Sequence, residues 1–336
     1  DYFTEEMSEE EARRRLAKAA ANFETRLDRL SEVVLAAPVS QSFSKSEGSG
    51  TARDRSSVIL FTRDFADCLC DSALMALRSG KPGKALERIR LLDRWSRMVS
   101  GPTLTNHAVA TALFGMESGL VWEGVRLQVW SANQLEVIAQ MLSERDFEKS
   151  FENALHHELA VELETLVTPG RPREEDAAGE EGGIFDFGGP MGWLDQRKAF
   201  VVNIHLDLLE AAKNRNRVAL EEVAHRMEFD RWSPMKDQAD DFTWVAGLVV
   251  RTLWQPETLK RMVLIGLKAE RLRLAGGSYP SDLPEMALGS PTVDLTDPQE
   301  RDLAYELGRE GRPRIWSRYQ EEQGEEKLRW QFFAEE

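Results

Sequence analysis

The chain of 336 residues carries 43 Lys and Arg against 58 Asp and Glu, a formal net charge of −15, with 42% hydrophobic residues. At roughly 100–200 residues per domain, this length accommodates two domains or one large one with an appendage, and the apolar share can fill a sizeable core. The acidic excess argues against a protein that tracks a phosphate backbone, which needs a basic face, and apolar runs such as Val245–Val250 fall far short of the roughly 20 residues of a membrane-spanning helix.

The first residue is Asp1 rather than Met, consistent with a removed signal peptide or N-terminal anchor or with an arbitrary boundary. Residues 1–39 read as one long helix. Glu5, Glu6 and Glu9 to Glu11 sit where they complement the positive end of the helix dipole, ahead of Arg13, Arg14, Arg15 and Lys18. Leu16, Ala20, Phe23, Leu27, Leu30 and Val34 then alternate steps of four and three, a narrow seam about three heptads long that Pro38 ends. The Ser/Gly-rich residues 40–55 read as a flexible linker.

Residues 56–167 form the first half of a helical body. Val58, Phe61, Phe65, Cys68 or Leu69 and Ser72 to Met75 define one face, with Gly80 and Pro82 as a stop and restart. Ala85, Ile89, Leu92, Trp95 and Val99 mark the next helix, closed by Ser100-Gly101-Pro102. Leu104, Ala108, Thr111, Phe114, Ser118, Val121 and Val125 mark the third. Ser131 is an expected N-cap, and Ser143 with Asp146 resembles a capping box. Phe147 to Leu166 repeat apolar residues at about four.

The Gly/Pro/acidic loop 168–192 breaks this pattern and contains the apolar clump Ile184 to Trp193. Phe185, Phe187 and Trp193 are candidates for lining a small-ligand pocket, against the alternative that the clump tacks the loop to the body. The second half of the body spans 193–275, including a run over Phe242 to Trp254 apolar on more than one side. A helix suits its length, and a buried strand is the alternative. Residues 276–336, with five prolines at 280, 284, 291, 298 and 313, form a small irregular or α+β appendage. The expected fold is an all-α antiparallel multi-helix stack carrying that appendage. Ala73 to Gly80 with Ala85-Leu86 resembles one tetratricopeptide-like hairpin, without a second copy at that period.

Candidate chemistry is sparse. Glu222-Val-Ala-His225 has the Glu-x-x-His spacing that puts two metal ligands on one helix face, but carboxylate-bridged bundles need two copies. Glu152 and His156, four apart, also share a face. These four are the metal candidates of the chain, set against the chance match that any Glu-rich helix produces. His107 and His205 lie among apolar neighbours, as hydrogen-bonded core histidines do. Cys68 and Cys70 have no disulfide framework or zinc-ribbon spacing, and Asp64, Asp67 and Asp71 disfavour a thiolate. With no nucleophile elbow, P-loop or dinucleotide fingerprint, no catalytic residue is assigned and no cofactor is expected.

The run Leu267-Lys-Ala-Glu-Arg-Leu-Arg-Leu-Ala-Gly-Gly-Ser-Tyr279-Pro280-Ser-Asp-Leu283 is followed by Asp297-Pro298, Leu303-Ala-Tyr305 and Ile315-Trp316-Ser317. This arrangement resembles the C-terminal segment of type II secretion pseudopilins. It is also similar, and more closely, to that of uncharacterised membrane-anchored bacterial helical proteins, which share the Ala-Leu hairpin and the Gly101-Pro-Thr-Leu104 start. Two departures stand out: Gln299-Glu-Arg-Asp302 replaces the glycine usual after Asp-Pro, and no Asp/Gly-rich calcium loop follows the last strand. A pilus subunit would also be much shorter, with its hydrophobic helix first. The resemblance implies an N-terminal membrane anchor ahead of this sequence and an exported or periplasmic location, and it supplies no activity. The leading expectation is therefore a non-enzymatic, envelope-associated helical protein that binds an unknown protein partner, with no nucleic acid and with membrane contact only through the anchor. A metal-dependent hydrolase using the Glu/His candidates and a small-ligand binder under loop 182–193 are the alternatives.

Overall fold

In the computed structural model, which describes residues 9–36, 52–167, 191–229, 253–283, 292–297, 299, 301–308, 311–318 and 329–331, helices begin and end where local chemistry places them. Helix α1 covers Glu9–Ala36 and α2 covers Ala52–Arg78, so the second helix starts four residues inside the expected linker. Gly80 follows at φ +68°, a left-handed backbone that a residue with a Cβ adopts only at about 1–2 kcal/mol. That turn lets Lys81 N donate to Ala76 O, and Pro82 opens α3, Pro82–Val99. Helix α4, Leu104–Arg126, is capped by Thr103, whose side chain accepts from Asn106 N at 3.1 Å. Helix α5, Ala132–Ser143, opens on a full capping box between Ser131 and Gln134.

The second capping box differs from expectation. Ser143 is the last residue of α5, and its Oγ donates to Gln140 O. Asp146 is the residue that caps α6, Phe147–Val167, accepting from Lys149 N at 2.9 Å. A three-residue turn, Glu144 to Asp146, is thereby freed to point Arg145 inward. Helices α7, Met191–Lys213, α8, Arg217–Phe229, and α9, Gln255–Gly276, complete the described helical part. The seam of α1 also differs. Leu27 and Val34 are buried as expected, but Leu30 is 44% exposed and Ser31 is turned inward instead. A straight helix drifts away from a 3.5-residue seam, and the polar contacts described below set its rotation.

Two apolar clusters hold the stack. The larger joins α1 to α5 with Met262, Val263, Ile265, Leu267 and Ala269 of α9 and reaches Leu303 and Ile315 of the appendage. The smaller joins Phe151, Ala154 and Leu155 of α6 to Ile204 and Leu208 of α7, Leu220 and Val223 of α8, and Trp254. Helix α9 packs against α4, α5 and α6, linking the two. Phe242 to Thr252 of the expected buried helix, and residues 168–190 of the loop, lie outside the described residues. No helix among the described residues is long and apolar enough to cross a membrane.

After α9 the chain forms a three-stranded antiparallel sheet, β1 (Ala304–Leu307), β2 (Pro313–Trp316) and β3 (Arg329–Gln331), in that spatial order. Tyr305 sits opposite Ile315, and its hydroxyl donates to Pro280 O at 2.9 Å. Tyr279 and Leu283 pack against the larger core, so the Tyr-Pro segment seals the helix–sheet junction. The all-α body with a small β-containing appendage is thus the fold observed. Strand β3 has no counterpart in the sequence reading.

One close approach in the core yields a prediction. The Trp130 ring lies over Gly124, where an added Cβ would stand 2.1 Å from Nε1, and that Nε1 donates to Val121 O. Gly124→Ala must displace a buried indole, and a loss of about 1–3 kcal/mol is expected in urea unfolding. Gly101→Ala meets only the side chain of Asn106, which can rotate away, and is expected to be near neutral.

Candidate functional site

The described polar residues concentrate in joints between helices, the most enclosed of them around Arg145. Asp93, Ser96 and Arg97 share one face of α3 because they lie three and four apart. Glu117 comes from α4, one turn beyond Phe114. Arg145 comes from the α5–α6 turn. Its Nε donates to Asp93 Oδ1 at 2.9 Å, Nη1 to Ser96 Oγ at 3.0 Å and Nη2 to Glu117 Oε2 at 2.6 Å. Nη2 also lies 2.7 Å from Asp93 Oδ1, so one nitrogen serves both carboxylates. Arg97 Nε reaches the other Asp93 oxygen at 2.9 Å. The rings of Phe114 and Phe147 lie 5.2 and 5.9 Å from the Arg145 guanidinium carbon, at cation–π distance. Lys260 of α9 donates to Arg145 O at 2.7 Å and pairs with Glu257.

This cluster is closed to solvent. The Arg145 side chain is 6% exposed and that of Glu117 is 0% exposed. Burial raises the Glu117 carboxyl above the ordinary carboxylate range; Arg145 and Arg97 oppose the rise and Asp93 adds to it. A substrate cannot reach groups so enclosed, and the geometry is that of a joint rather than an open catalytic cleft.

A second joint docks α1. Arg88 of α3 donates to Glu24 Oε2 at 2.9 Å, to Ser72 Oγ at 3.1 Å and to Ser31 Oγ at 3.4 Å, and it pairs with Asp28. Lys84 lies 2.6 Å from Glu24. Burial works against the ionised Glu24 carboxyl, but hydrogen bonds from Lys84, Ser72 and Arg88 outweigh it and hold the group at about 2. Arg94 donates to Val34 O and Leu35 O, completing the end of α1. A third joint clamps the Tyr-Pro segment. Fully buried Glu270 takes both Arg273 Nε (2.8 Å) and Nη2 (2.6 Å), and the Tyr279 hydroxyl donates to it at 2.7 Å.

The metal candidates are placed without converging. Glu152 and His156 meet on α6 at 3.8 Å, and Glu152 also pairs with Lys213 at 2.9 Å. Glu222 and His225 lie on the exposed face of α8. Among the described residues no group of three or more His, Cys, Asp or Glu is arranged to hold a metal ion. Phe185 and Phe187 lie outside the described residues, and Trp193 falls in the first turns of α7. His205 is buried, its Nδ1 donating to Val201 O at 2.9 Å. His107 bonds Ser150 at 3.2 Å, and burial lowers its pKa to about 4, so it is a neutral imidazole at neutral pH. Burial, then Asp67 and Asp71, push the Cys70 thiol up to about 12, which leaves it an inert thiol.

Neither Glu117 nor Arg145 was singled out by sequence. Glu117 did leave a signal, an acid between Phe114 and Val121 on the apolar face of its helix. Arg145, between Glu144 and Asp146 in a turn, left none. No family model, no curated protein and no solved structure matches the chain.

Two predictions follow from these joints. Arg145→Met leaves two buried carboxylates without their shared cation and is expected to cost about 3–5 kcal/mol in urea unfolding, with Arg145→Lys restoring little because one ammonium cannot reach three partners. For α1, the folded Glu24 value lies below the ordinary 4.5, so its contribution to docking is complete above about 4.5 and is lost as pH falls towards 2. Pepsin cleavage within α1 is expected to accelerate over that interval, and Glu24→Gln to flatten the dependence.

Proposed function

We propose that this chain is a non-enzymatic, envelope-associated helical protein whose work is to bind another protein. One observation carries the reading. The described charged clusters face inward and join helices, while large apolar side chains remain on outward faces. Among the described residues, half of the exposed large apolar side chains lie on α1 and α2: Leu30, Val33, Leu35, Phe61 and Met75. Val33 is 66% exposed and Phe61 is 53% exposed. Phe61 was expected in the core, but it lies at the rim, stacked 6.3 Å from Phe65 and edge-on to Trp95 at 6.1 Å. Arg94, next to Trp95 in α3, holds the end of α1. Exposed large apolar side chains of this kind suit a protein interface. The envelope location rests on the resemblance of the Tyr279-Pro280 segment and its implied anchor.

The test is a cross-linking capture from envelope and soluble fractions at moderate salt, comparing the chain with a Val33→Asp, Phe61→Asp variant shown to be folded by circular dichroism. A stoichiometric partner held by the parent and lost by the variant is the expected result. Capture of the same proteins by both, or only of salt-labile basic proteins, would overturn it.

A further inference from the structure

We propose that Glu117 folds into the stack as a neutral carboxylic acid, making the Asp93–Glu117–Arg145 joint a proton-binding site that ties the packing of α4 against α3 and the α5–α6 turn to pH. Two carboxylates touch a single guanidinium nitrogen there, at 2.7 and 2.6 Å. Like charges held so close oppose each other's ionisation, and the one with fewer cations about it is the one that takes the proton. The surroundings decide which.

Asp93 has a second guanidinium, Arg97, and both of its oxygens are bonded. Glu117 is held through Oε2 alone. Its Oε1 is buried with no hydrogen-bond partner among the described residues, and a neutral acid tolerates a dry oxygen far better than a carboxylate does. Among the described residues, the other elements bring no cation into hydrogen-bond contact with it. From α2 comes the Cys70 thiol, whose own proton the Glu117 charge helps to retain. From α9 come Lys260, committed to Arg145 O and Glu257, and Glu257 itself. Phe114 and Phe147, tilted rings 4.8 Å apart, wall the guanidinium side. The raised proton affinity of Glu117 noted above agrees with this placement.

The sign is fixed by linkage. An unfolded Glu117 ionises near 4.5 and the folded one higher, so the folded state binds the extra proton and this group's contribution to stability falls as pH rises from about 4.5 through its folded value. His107 acts in the opposite direction, because its folded pKa of about 4 lies below the ordinary 6.5 and its contribution is lost as pH falls between them. Burial lowers His205 as well. The test therefore compares variants rather than reading the total.

Urea unfolding of the full chain, Glu117→Gln and Asp93→Asn across about pH 5 to 7 is the experiment. The folding constant of the parent relative to Glu117→Gln is expected to fall by up to about tenfold per pH unit, the slope of one proton. Infrared difference spectra of the folded parent near neutral pH are expected to carry a protonated-carboxyl carbonyl band, absent in Glu117→Gln and shifted to lower pH in Asp93→Asn. If Glu117→Gln does not fold, the parent's band, its loss on raising pH and its loss on unfolding still decide the matter. Parallel pH slopes for parent and Glu117→Gln, or no protonated-carboxyl band in the folded parent, would show an ordinary ion pair and overturn the proposal.

Discussion

A buried guanidinium must be answered on every side, and Arg145 forces that requirement on four segments of the chain. The α5–α6 turn has to be three residues long so that Asp146 can cap α6 while the residue before it turns inward. Helix α3 has to present Asp93 and Ser96 on one face, and Ser96 Oγ, which accepts from Arg145, donates in turn to Ala110 O of α4 at 3.2 Å. Helix α4 has to carry an acid on its apolar face, and α9 has to bring Lys260 under the Arg145 carbonyl. Replacing such a cluster with apolar residues often leaves stability unchanged or improves it. Its effect here is one of register: a slip of one turn in α3 or α4 strands a charge in the core.

The same device recurs with different openness. Arg88 fastens α1 with two acids and two hydroxyls, yet Asp28 and Lys84 at its rim stay accessible to water. Arg273, Glu270 and Tyr279 clamp the chain where the helical body gives way to the sheet, and the buried Asp297 holds Arg301 at 2.5 Å before β1. Arg145 and Arg88 span different helices, whereas Arg273 and Arg301 each pair with an acid of their own segment. The α1 joint is the most easily released, because only Leu27, Ser31 and Val34 of that helix are buried among its described side chains. The net charge of −15 therefore does not mean that acids are merely surface decoration, since several of the most buried side chains in the stack are acidic.

Much of the fold was legible because helices announce themselves locally. Apolar residues at three and four, Gly80 ahead of Pro82, and Ser131 ahead of Gln134 act over a few residues and need no tertiary information. The rotation of α1 was not legible, since Leu30 and Ser31 differ by one position and the choice between them is made by Arg88, 57 residues away. Phe61 was misjudged for the same kind of reason: its spacing puts it on the core face of α2, but it meets Trp95 edge-on and stays half exposed. Strand β3 pairs only with β2, so nothing local to residues 329–331 marks it. The buried joint hid in plain composition, because an arginine between two acids in a turn has the appearance of solvated surface.

The metal candidates illustrate the limit of spacing. Residues three or four apart on a helix do share a face, and Glu152 does meet His156, but a binding site needs faces of different helices to converge. In this stack the faces that converge most tightly bring together arginine and carboxylate, not imidazole. Two carboxylates on one guanidinium nitrogen, only one of them also bonded to Arg97, are the arrangement in which a proton is a natural further partner. A bundle stiffened from within by such joints can leave apolar side chains on α1 and α2 facing outward without collapsing onto them, which is the division of labour a docking protein requires.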